Sequence, residues 1–277
     1  MGVFGVGAAR IGVVCLAVAA FGTAGCSSLQ HKSNDELWAE GDGHFNQGRY
    51  GEATPYYDEL IRRDEGGTRA HLMRGVARER TGDHGAALED YGSAGSRGEL
   101  RALFYRADLN LRRGDLASAE ADLGALRDMG LGGRDTVVHL TLLGTLRLKQ
   151  KQYMFAAQNL ERACEASASY RDPGMTRHIR DAHYNAAQAY YHLGDFGRAY
   201  DHMVQFAGGS PGDGTRTSEY LDGQDSYMLG LLAYLAGDFA AAEHHLANAD
   251  PDLVARAADV LDDPSFGAGA RRGGNPK

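Results

Sequence analysis

One stretch of the chain has the residues of a serine nucleophile. Residues 208–212 (GGSPG) place Ser210 between glycines at the G-x-S-x-G spacing of a nucleophile elbow. An elbow needs a strand before the serine, and its oxyanion hole uses the N–H of the next residue. Here a helical pattern precedes the string, and Pro211 has no N–H. The sequence therefore predicts a loop at this position and no catalytic residue.

Histidine and cysteine, the side chains that bind transition metals, are also present. The chain has 11 histidines and 3 cysteines. The histidines close enough in sequence to be considered as joint ligands are His178, His183, His192, His244 and His245. None of them forms the i, i+4 pair of a helix-borne zinc site, and no cysteine pair lies beside them. We therefore expect no metal, no cofactor and no enzymatic activity.

The first 26 residues have the pattern of an export signal. Arg10 is the only charged side chain of residues 1–25, and residues 11–21 (IGVVCLAVAAF) form an apolar run too short for a comfortable membrane span. The run is followed by the small residues Ala24 and Gly25, directly before Cys26. Two interpretations are open: a lipoprotein signal whose removal leaves an acylated Cys26, or an ordinary signal peptide cut near Ala24.

The segment before Cys26 resembles the lipobox of bacterial lipoproteins, with Thr23 where that motif usually has leucine. The resemblance implies a signal peptide at residues 1–25, acylation (palmitate) of Cys26 and a polar tether at residues 26–33. Several acyl chains hold a protein on a bilayer where a single chain does not. Ser27 implies the periplasmic face of the outer membrane, because aspartate at that place marks retention at the inner membrane.

The charge of the chain argues against nucleic acid as a partner. It has 37 acidic and 29 basic residues and a formal net charge of −8. An acidic protein without a basic stripe repels phosphate backbones. We therefore expect no nucleic acid as a partner, whereas the resemblance to envelope lipoproteins implies envelope proteins or peptide segments.

From Asn34 onward, one pattern occurs six times. A small residue is followed seven residues later by Gly or a polar residue, then by an aromatic residue or leucine, and three further on by alanine. Small residues let two helices approach closely, and a glycine lets the chain turn with a positive φ. The small residues are Gly41, Gly75, Ala107, Gly144, Ala187 and Gly230, and the alanines are Ala53, Ala87, Ala119, Ala156, Ala199 and Ala242.

These six copies resemble the tetratricopeptide repeat (TPR) over nearly all of the chain after Cys26. The resemblance implies an all-α fold, an α-solenoid of about six TPR helix–turn–helix repeats with a C-terminal capping helix. The predicted solenoid covers residues 34–262, with repeats near 34–67, 68–99, 100–129, 137–166, 180–211 and 223–252 and a cap at 253–262. Residues 167–176 and 208–224 are predicted loops, and residues 263–277 a disordered tail.

In the TPR family, the first helix of each repeat lines a groove that binds partners. Aromatic and arginine side chains suit such a surface, because they bury much area at a modest entropic cost. The alternative is that several of these rings pack between repeats or under the cap. The resemblance assigns eight side chains to the groove: Trp38, Phe45, Phe104, Arg112, Tyr184, Tyr191, Tyr227 and Tyr234.

Some members of the family bind a C-terminal carboxylate through a lysine and an asparagine of the first repeat. In this chain Trp38 and Asp42 occupy those two places. An aspartate repels a carboxylate, so the sequence predicts that this mode of binding is absent.

The anchor and the groove together imply a membrane-anchored scaffold that binds partner proteins in cell-envelope assembly or maintenance. The combination resembles outer-membrane TPR lipoproteins that act as pilotins, as barrel-assembly subunits or as adaptors for peptidoglycan hydrolases, and no motif selects among them. The alternative is a protein that binds peptidoglycan or exopolysaccharide by stacking sugars on the groove aromatics. Its polar contacts would be Asp42, Asp108, Gln188 and Gln224.

Overall fold

The structure is a computed structural model that describes residues 29–168, 176–208 and 222–260. Within these ranges the chain forms thirteen α-helices and no β-strand, which confirms the predicted all-α fold. The helices are α1 (Asn34–Asn46), α2 (Tyr50–Arg62), α3 (Gly67–Arg80), α4 (His84–Gly95), α5 (Leu100–Arg113), α6 (Leu116–Asp128), α7 (Gly133–Lys149), α8 (Tyr153–Ser167), α9 (Thr176–Leu193), α10 (Phe196–Phe206), α11 (Gly223–Leu235), α12 (Phe239–Leu246) and α13 (Pro251–Val260).

The helices from α1 to α12 alternate between a first helix (A helix) and a second helix (B helix) of six successive repeats. The pairs α1–α2, α3–α4, α7–α8, α9–α10 and α11–α12 pack as hairpins. A small residue of the A helix lies against a large residue of the B helix. A Cβ atom on Gly75 would lie 2.8 Å from Cε1 of Tyr91, a separation at which something must shift. Ala107 of α5 and Ala187 of α9 take the place of glycine at the equivalent position and are buried. The small residues therefore set how closely the two helices of a hairpin pack.

Gly144 gives a test of this close packing. A Cβ atom there would lie 2.8 Å from Cδ2 of Leu160 and closer still to its Cγ, and Leu160 is fully buried. Overpacking a core costs about 1–3 kcal/mol, whereas the helix propensity of alanine offsets at most about 1 kcal/mol. We expect Gly144→Ala to lower the free energy of unfolding, measured by urea denaturation with far-UV circular dichroism.

The matched control is Gly124→Ala in α6, where a new Cβ would meet nothing within 4 Å. Alanine is the better helix former, so this variant should gain about 0.5–1 kcal/mol. Equal effects of the two substitutions would contradict the close approach at Gly144.

The turns between A and B helices share a second local device. The glycines at 48, 82, 114, 194 and 237 have φ between 75° and 89°. Four of them are followed by an aspartate whose side chain accepts a hydrogen bond from the first turn of the B helix: Asp83, Asp115, Asp195 and Asp238. The turn between α7 and α8 differs from these. There Lys151 takes the left-handed conformation with φ 59°, and no side chain caps the start of α8. Each B helix thus begins at a place that the local sequence determines.

The described residues up to Leu109, that is 29–109, form one compact unit. Its core contains Leu37, Tyr57 and Leu60 of the first hairpin and Leu72 and Tyr91 of the second. A buried Asp90 lies in this unit, where its carboxylate accepts hydrogen bonds from two arginines of α3.

The start of the described chain is held against this first unit. Leu29 is buried in the core of the first hairpin. The guanidinium of Arg63 donates hydrogen bonds to the carbonyl oxygens of Leu29, Gln30 and Lys32. The prediction that residues 26–33 are a free polar tether is therefore wrong for residues 29–33. A buried leucine and an arginine 30 or more residues away in sequence hold this stretch in place.

The described residues from Asn110 onward form a second compact unit. Its core includes Leu140, Leu160, Tyr190, Met203 and Leu229. The last described helix, α13, covers α12 by packing Val254, Ala257 and Ala258 against Leu246. This is the expected capping helix, which gives the last hairpin an apolar contact on its outer side.

Several predictions fall outside the described residues. These are the signal peptide at 1–25, Cys26, the disordered tail at 263–277 and most of the two predicted loops, at 169–175 and 209–221. Of the helices in residues 29–168, 176–208 and 222–260, none has the length and apolar character needed to cross a bilayer.

Candidate partner-binding surfaces

Trp38 lies among charged groups at the surface of the first unit. The guanidinium carbon of Arg69 lies 4.1 Å from the centroid of the indole ring, a cation–π contact. Asp42, one turn later on α1, accepts a hydrogen bond of 2.6 Å from Arg69 and one of 2.9 Å from the hydroxyl of Tyr57. Burial and the hydrogen bond to Asp42 both raise the pKa of Tyr57, so its hydroxyl remains a donor. One face of Trp38 is thus covered, and both oxygens of Asp42 are engaged.

The other predicted groove residues before α9 differ in exposure. Phe45 is half-buried, packs against the cores of both hairpins in the first unit and makes an edge contact with Tyr50. Phe104 is buried, with 9% of its surface exposed, so it offers little area to a partner. The prediction that Phe104 lines an open groove does not agree with this burial, because α5 turns that ring into the core. Arg112 is exposed in the second unit.

In α9, Tyr184 faces a neighbouring B helix. Its ring lies 5.2 Å from that of Phe206 on α10, and the guanidinium of Arg180 lies 4.7 Å from the centroid of Phe206. Tyr184 is half-buried against the core of the second unit. It therefore contributes to packing as well as to the surface.

Tyr191 lies two turns later on α9 and is the most exposed of the four predicted tyrosines, at 38%. Its ring contacts those of His192 and Phe196. His192 in turn stacks on Tyr153 of α8 with the ring centroids 4.3 Å apart. The end of α9 therefore presents a group of accessible rings.

Both tyrosines of α11 pack against the cluster formed by Leu246 and the capping helix. Burial raises the pKa of Tyr227, and Tyr191 adds to the rise. Tyr234 packs against the core of α12 and α13 and makes an edge contact with Phe239 at 5.4 Å. Tyr191 is thus the accessible ring of the four, whereas Tyr184, Tyr227 and Tyr234 pack against core clusters of the second unit.

Three apolar side chains at the starts of B helices are exposed, and the sequence did not indicate them. Met154 and Phe155 in α8 are 56% and 59% exposed, and Phe239 in α12 is 63% exposed. Phe239 opens α12 and makes an edge contact with Tyr234 of the A helix α11. How much of such side chains is covered depends on the neighbouring helices, which the local sequence does not specify.

A cluster of three potential metal ligands lies in the second unit, and the histidine spacings in the sequence did not indicate it. Sγ of Cys164 lies 3.6 Å from Nδ1 of His183, and that atom lies 3.0 Å from Nδ1 of His202. One ligand atom from each residue lies within 4.8 Å of the other two. The three residues come from α8, α9 and α10. Each is 19 positions from the next along the chain, a spacing that no short motif describes.

Burial determines the protonation state of this cluster. It lowers the pKa of His183 to about 4, with His202 adding to the shift, and it also lowers the pKa of His202. Burial raises the pKa of the Cys164 thiol to about 12, and Glu161 and Glu165 add to that rise. At neutral pH the histidines are therefore neutral, and the cysteine is a thiol that does not act as a free nucleophile.

Comparisons with known proteins agree with this arrangement of hairpins. Residues 39–98 match the tetratricopeptide repeat family. A solved structure of PilF from Pseudomonas aeruginosa is similar to this one with a TM-score of 0.62 and 14% identity, over 90% of this chain and 99% of that chain. The chain has the tetratricopeptide-repeat fold. PilW, a widely conserved type IV pilus biogenesis factor, gives a TM-score of 0.60 and 17% identity, over 84% of this chain and 96% of that chain.

A third TPR structure is larger than this chain. The Cut9–Hcn1 structure of the APC/C gives a TM-score of 0.62 and 15% identity over 96% of this chain, which spans 49% of that chain. A search of curated proteins gave no match. At these identities the likeness concerns the fold alone.

The different surroundings of Tyr191 and Tyr234 lead to a stability prediction. Tyr234 packs on the cap, so Tyr234→Ala should lower the free energy of unfolding by about 2–3 kcal/mol, somewhat less than for a fully buried aromatic residue. Tyr191 is more exposed, and Tyr191→Ala should cost about 1 kcal/mol or less. Thermal melts of the two variants in parallel test this, and a larger loss for Tyr191→Ala would show that its ring is a packing residue.

Proposed function

We propose that this protein is a membrane-anchored adaptor that binds segments of partner proteins through aromatic side chains of α9 and α11. The TPR fold is a protein-binding scaffold. The observation that carries the proposal is the group of accessible rings at the end of α9, where the exposed Tyr191 contacts His192 and Phe196. Rings of this kind bury a large area at little entropic cost and often supply most of the energy of an interface.

The proposed surface also carries a guanidinium. Arg180 lies over Phe206, and burial together with Asp222 raises the pKa of Asp225 on α11, whereas Arg180 opposes that rise. The A helix α9 therefore offers rings at its end and a guanidinium near its start. A partner segment with apolar side chains and a carboxylate matches this combination.

For the anchor, the support is the run of small residues before Cys26. Acylation there would leave only Ser27 and Ser28 between the lipid and Leu29, which is bound by the first unit. A chain spans at most about 3.6 Å per residue, so the first unit would lie within roughly 11 Å of the acylated cysteine. We propose that the protein sits directly on the periplasmic face of the outer membrane.

The envelope role is proposed by analogy with PilW, with which this chain shares the fold. PilW is a type IV pilus biogenesis factor, and the likeness covers 96% of that chain. By analogy, we propose that the partner of this protein is a component of an envelope assembly.

Glycan binding has less support. Asp42 was a proposed polar contact for sugars, but its two oxygens accept hydrogen bonds from Tyr57 and Arg69. Arg69 also covers one face of Trp38, the ring beside it. A sugar would have to displace an ion pair to use this position.

The partner surface can be tested by site-specific photocrosslinking in cells. A benzophenone amino acid in place of Tyr191 should give a discrete adduct with an envelope protein, identified by mass spectrometry. The matched control places the same group at Glu243, an exposed residue of the B helix α12, and should give no such adduct. Identical adducts at both positions would contradict the proposed surface, and sedimentation of the purified protein with insoluble peptidoglycan would favour the glycan alternative.

Lipidation is tested separately. Cys26→Ala should abolish incorporation of labelled palmitate and move the protein from the membrane to the soluble fraction, because acyl chains supply the membrane affinity. A Cys164→Ala variant is the control and should keep both the label and the membrane location. Retention of label by Cys26→Ala would show that the anchor lies elsewhere.

A further inference from the structure

The cluster of Cys164, His183 and His202 has the distances of a metal coordination sphere. Zinc binds sulfur at about 2.3 Å and imidazole nitrogen at about 2.05 Å, so a tetrahedral ion places S and N about 3.6 Å apart and two N atoms about 3.3 Å apart. The corresponding distances here are 3.6 Å and 3.0 Å. Two edges of the tetrahedron are thus already in place.

We propose that Cys164, His183 and His202 bind a zinc ion, with the fourth coordination position open to water. All three side chains are partly exposed, which gives an ion a path to the site. A set of one thiolate and two imidazoles suits zinc, whereas magnesium and calcium require oxygen ligands.

The same atoms can pair without a metal. At 3.0 Å, one Nδ1–H donates to the other Nδ1, and the Cys164 thiol lies beside this pair. Zinc would replace these hydrogens as the common partner. The imidazole that carries its proton on Nδ1 exchanges it through solvent for a proton on Nε2, which frees its Nδ1, and the Cys164 thiol releases one proton to solvent as the Zn–S bond forms.

The surroundings favour a cation. Glu161 and Asp201 act on His202 with negative charge, and Glu161 and Glu165 act on Cys164, whereas Arg198 supplies one opposing positive charge. A bound zinc thiolate retains one positive charge, which these carboxylates offset.

A second layer of contacts orients one of the ligands. The ring of Tyr190 stacks on His202 at 5.7 Å, with 11° between the ring planes. Tyr190 donates a hydrogen bond to Glu161 of α8, and Arg198 of α10 lies 4.3 Å from the centroid of its ring. Residues that contact and orient the ligands in this way are typical of metal sites in proteins.

Zinc at this position would cross-link the side chains of three consecutive helices. The ligands lie on α8, α9 and α10, and α9 also carries Tyr184 and Tyr191. Because a ligand that binds only the folded state stabilises it, zinc should raise the melting temperature of the protein.

The site is tested on the purified full chain in detergent, reduced and stripped of metal with a chelator. Co²⁺ is the spectroscopic probe. The wild-type protein should develop thiolate-to-cobalt charge-transfer absorption and the intense visible bands of a tetrahedral ion, and Zn²⁺ should displace it at one ion per chain. Absence of the thiolate band overturns the proposal without the need for any variant.

Variants identify the ligands. Each of three substitutions, Cys164→Ser, His183→Gln and His202→Gln, should weaken zinc binding by about 100-fold or more. This exceeds the loss expected from a residue that only orients a ligand. Each should also abolish the zinc-dependent rise in melting temperature. His192→Gln is the matched control, because His192 lies on the same helix as His183 and stacks on Tyr153. It should bind zinc like the wild type.

Far-UV circular dichroism of each metal-free variant establishes that it is folded before titration. A zinc-dependent rise in melting temperature that survives Cys164→Ser would overturn the assignment. The outcome does not depend on the adaptor proposal, since neither Tyr191 nor Cys26 takes part in the measurement.

Discussion

The close approach of the A and B helices is the constraint on which this structure depends. A side chain larger than hydrogen at Gly75 or Gly144 would collide with Tyr91 or Leu160, and both of those residues are fully buried. Where alanine replaces glycine, as at Ala107, the methyl group is itself buried. Because interiors are close-packed, this contact sets the spacing of each hairpin and so determines which residues remain at its surface.

The packing of α9 between two B helices follows from this constraint and accounts for both candidate sites. The helix α9 packs against α8 and α10, so one stripe of its side chains meets both. His183 reaches Cys164 and His202, and Tyr190, seven residues later, reaches Glu161 and Arg198. Tyr184 and Tyr191 follow these residues by one position and lie on an adjacent stripe, which leaves Tyr191 exposed.

Charged groups in the first unit show how tertiary contacts change the chemistry that a sequence suggests. Asp42 alone implies a negative surface beside Trp38. In the fold, Arg69 of α3 pairs with Asp42 and lies over the indole ring. The pair is partly exposed, so its contribution to stability is small, about 0–1 kcal/mol. Its effect on recognition is larger, because a cation now occupies the face that a partner would use.

The sequence by itself determined the helices, their turns and the number of repeats, since a 3.6-residue apolar period and a glycine turn are local properties. It also indicated Tyr191 as accessible. Only the tertiary structure decided that Phe104 is buried, that Arg63 holds residues 29–33, and that a cysteine and two histidines meet. Those outcomes depend on how side chains of separate helices are directed toward one another. Contacts between residues 19 or more positions apart leave no periodic mark in the chain.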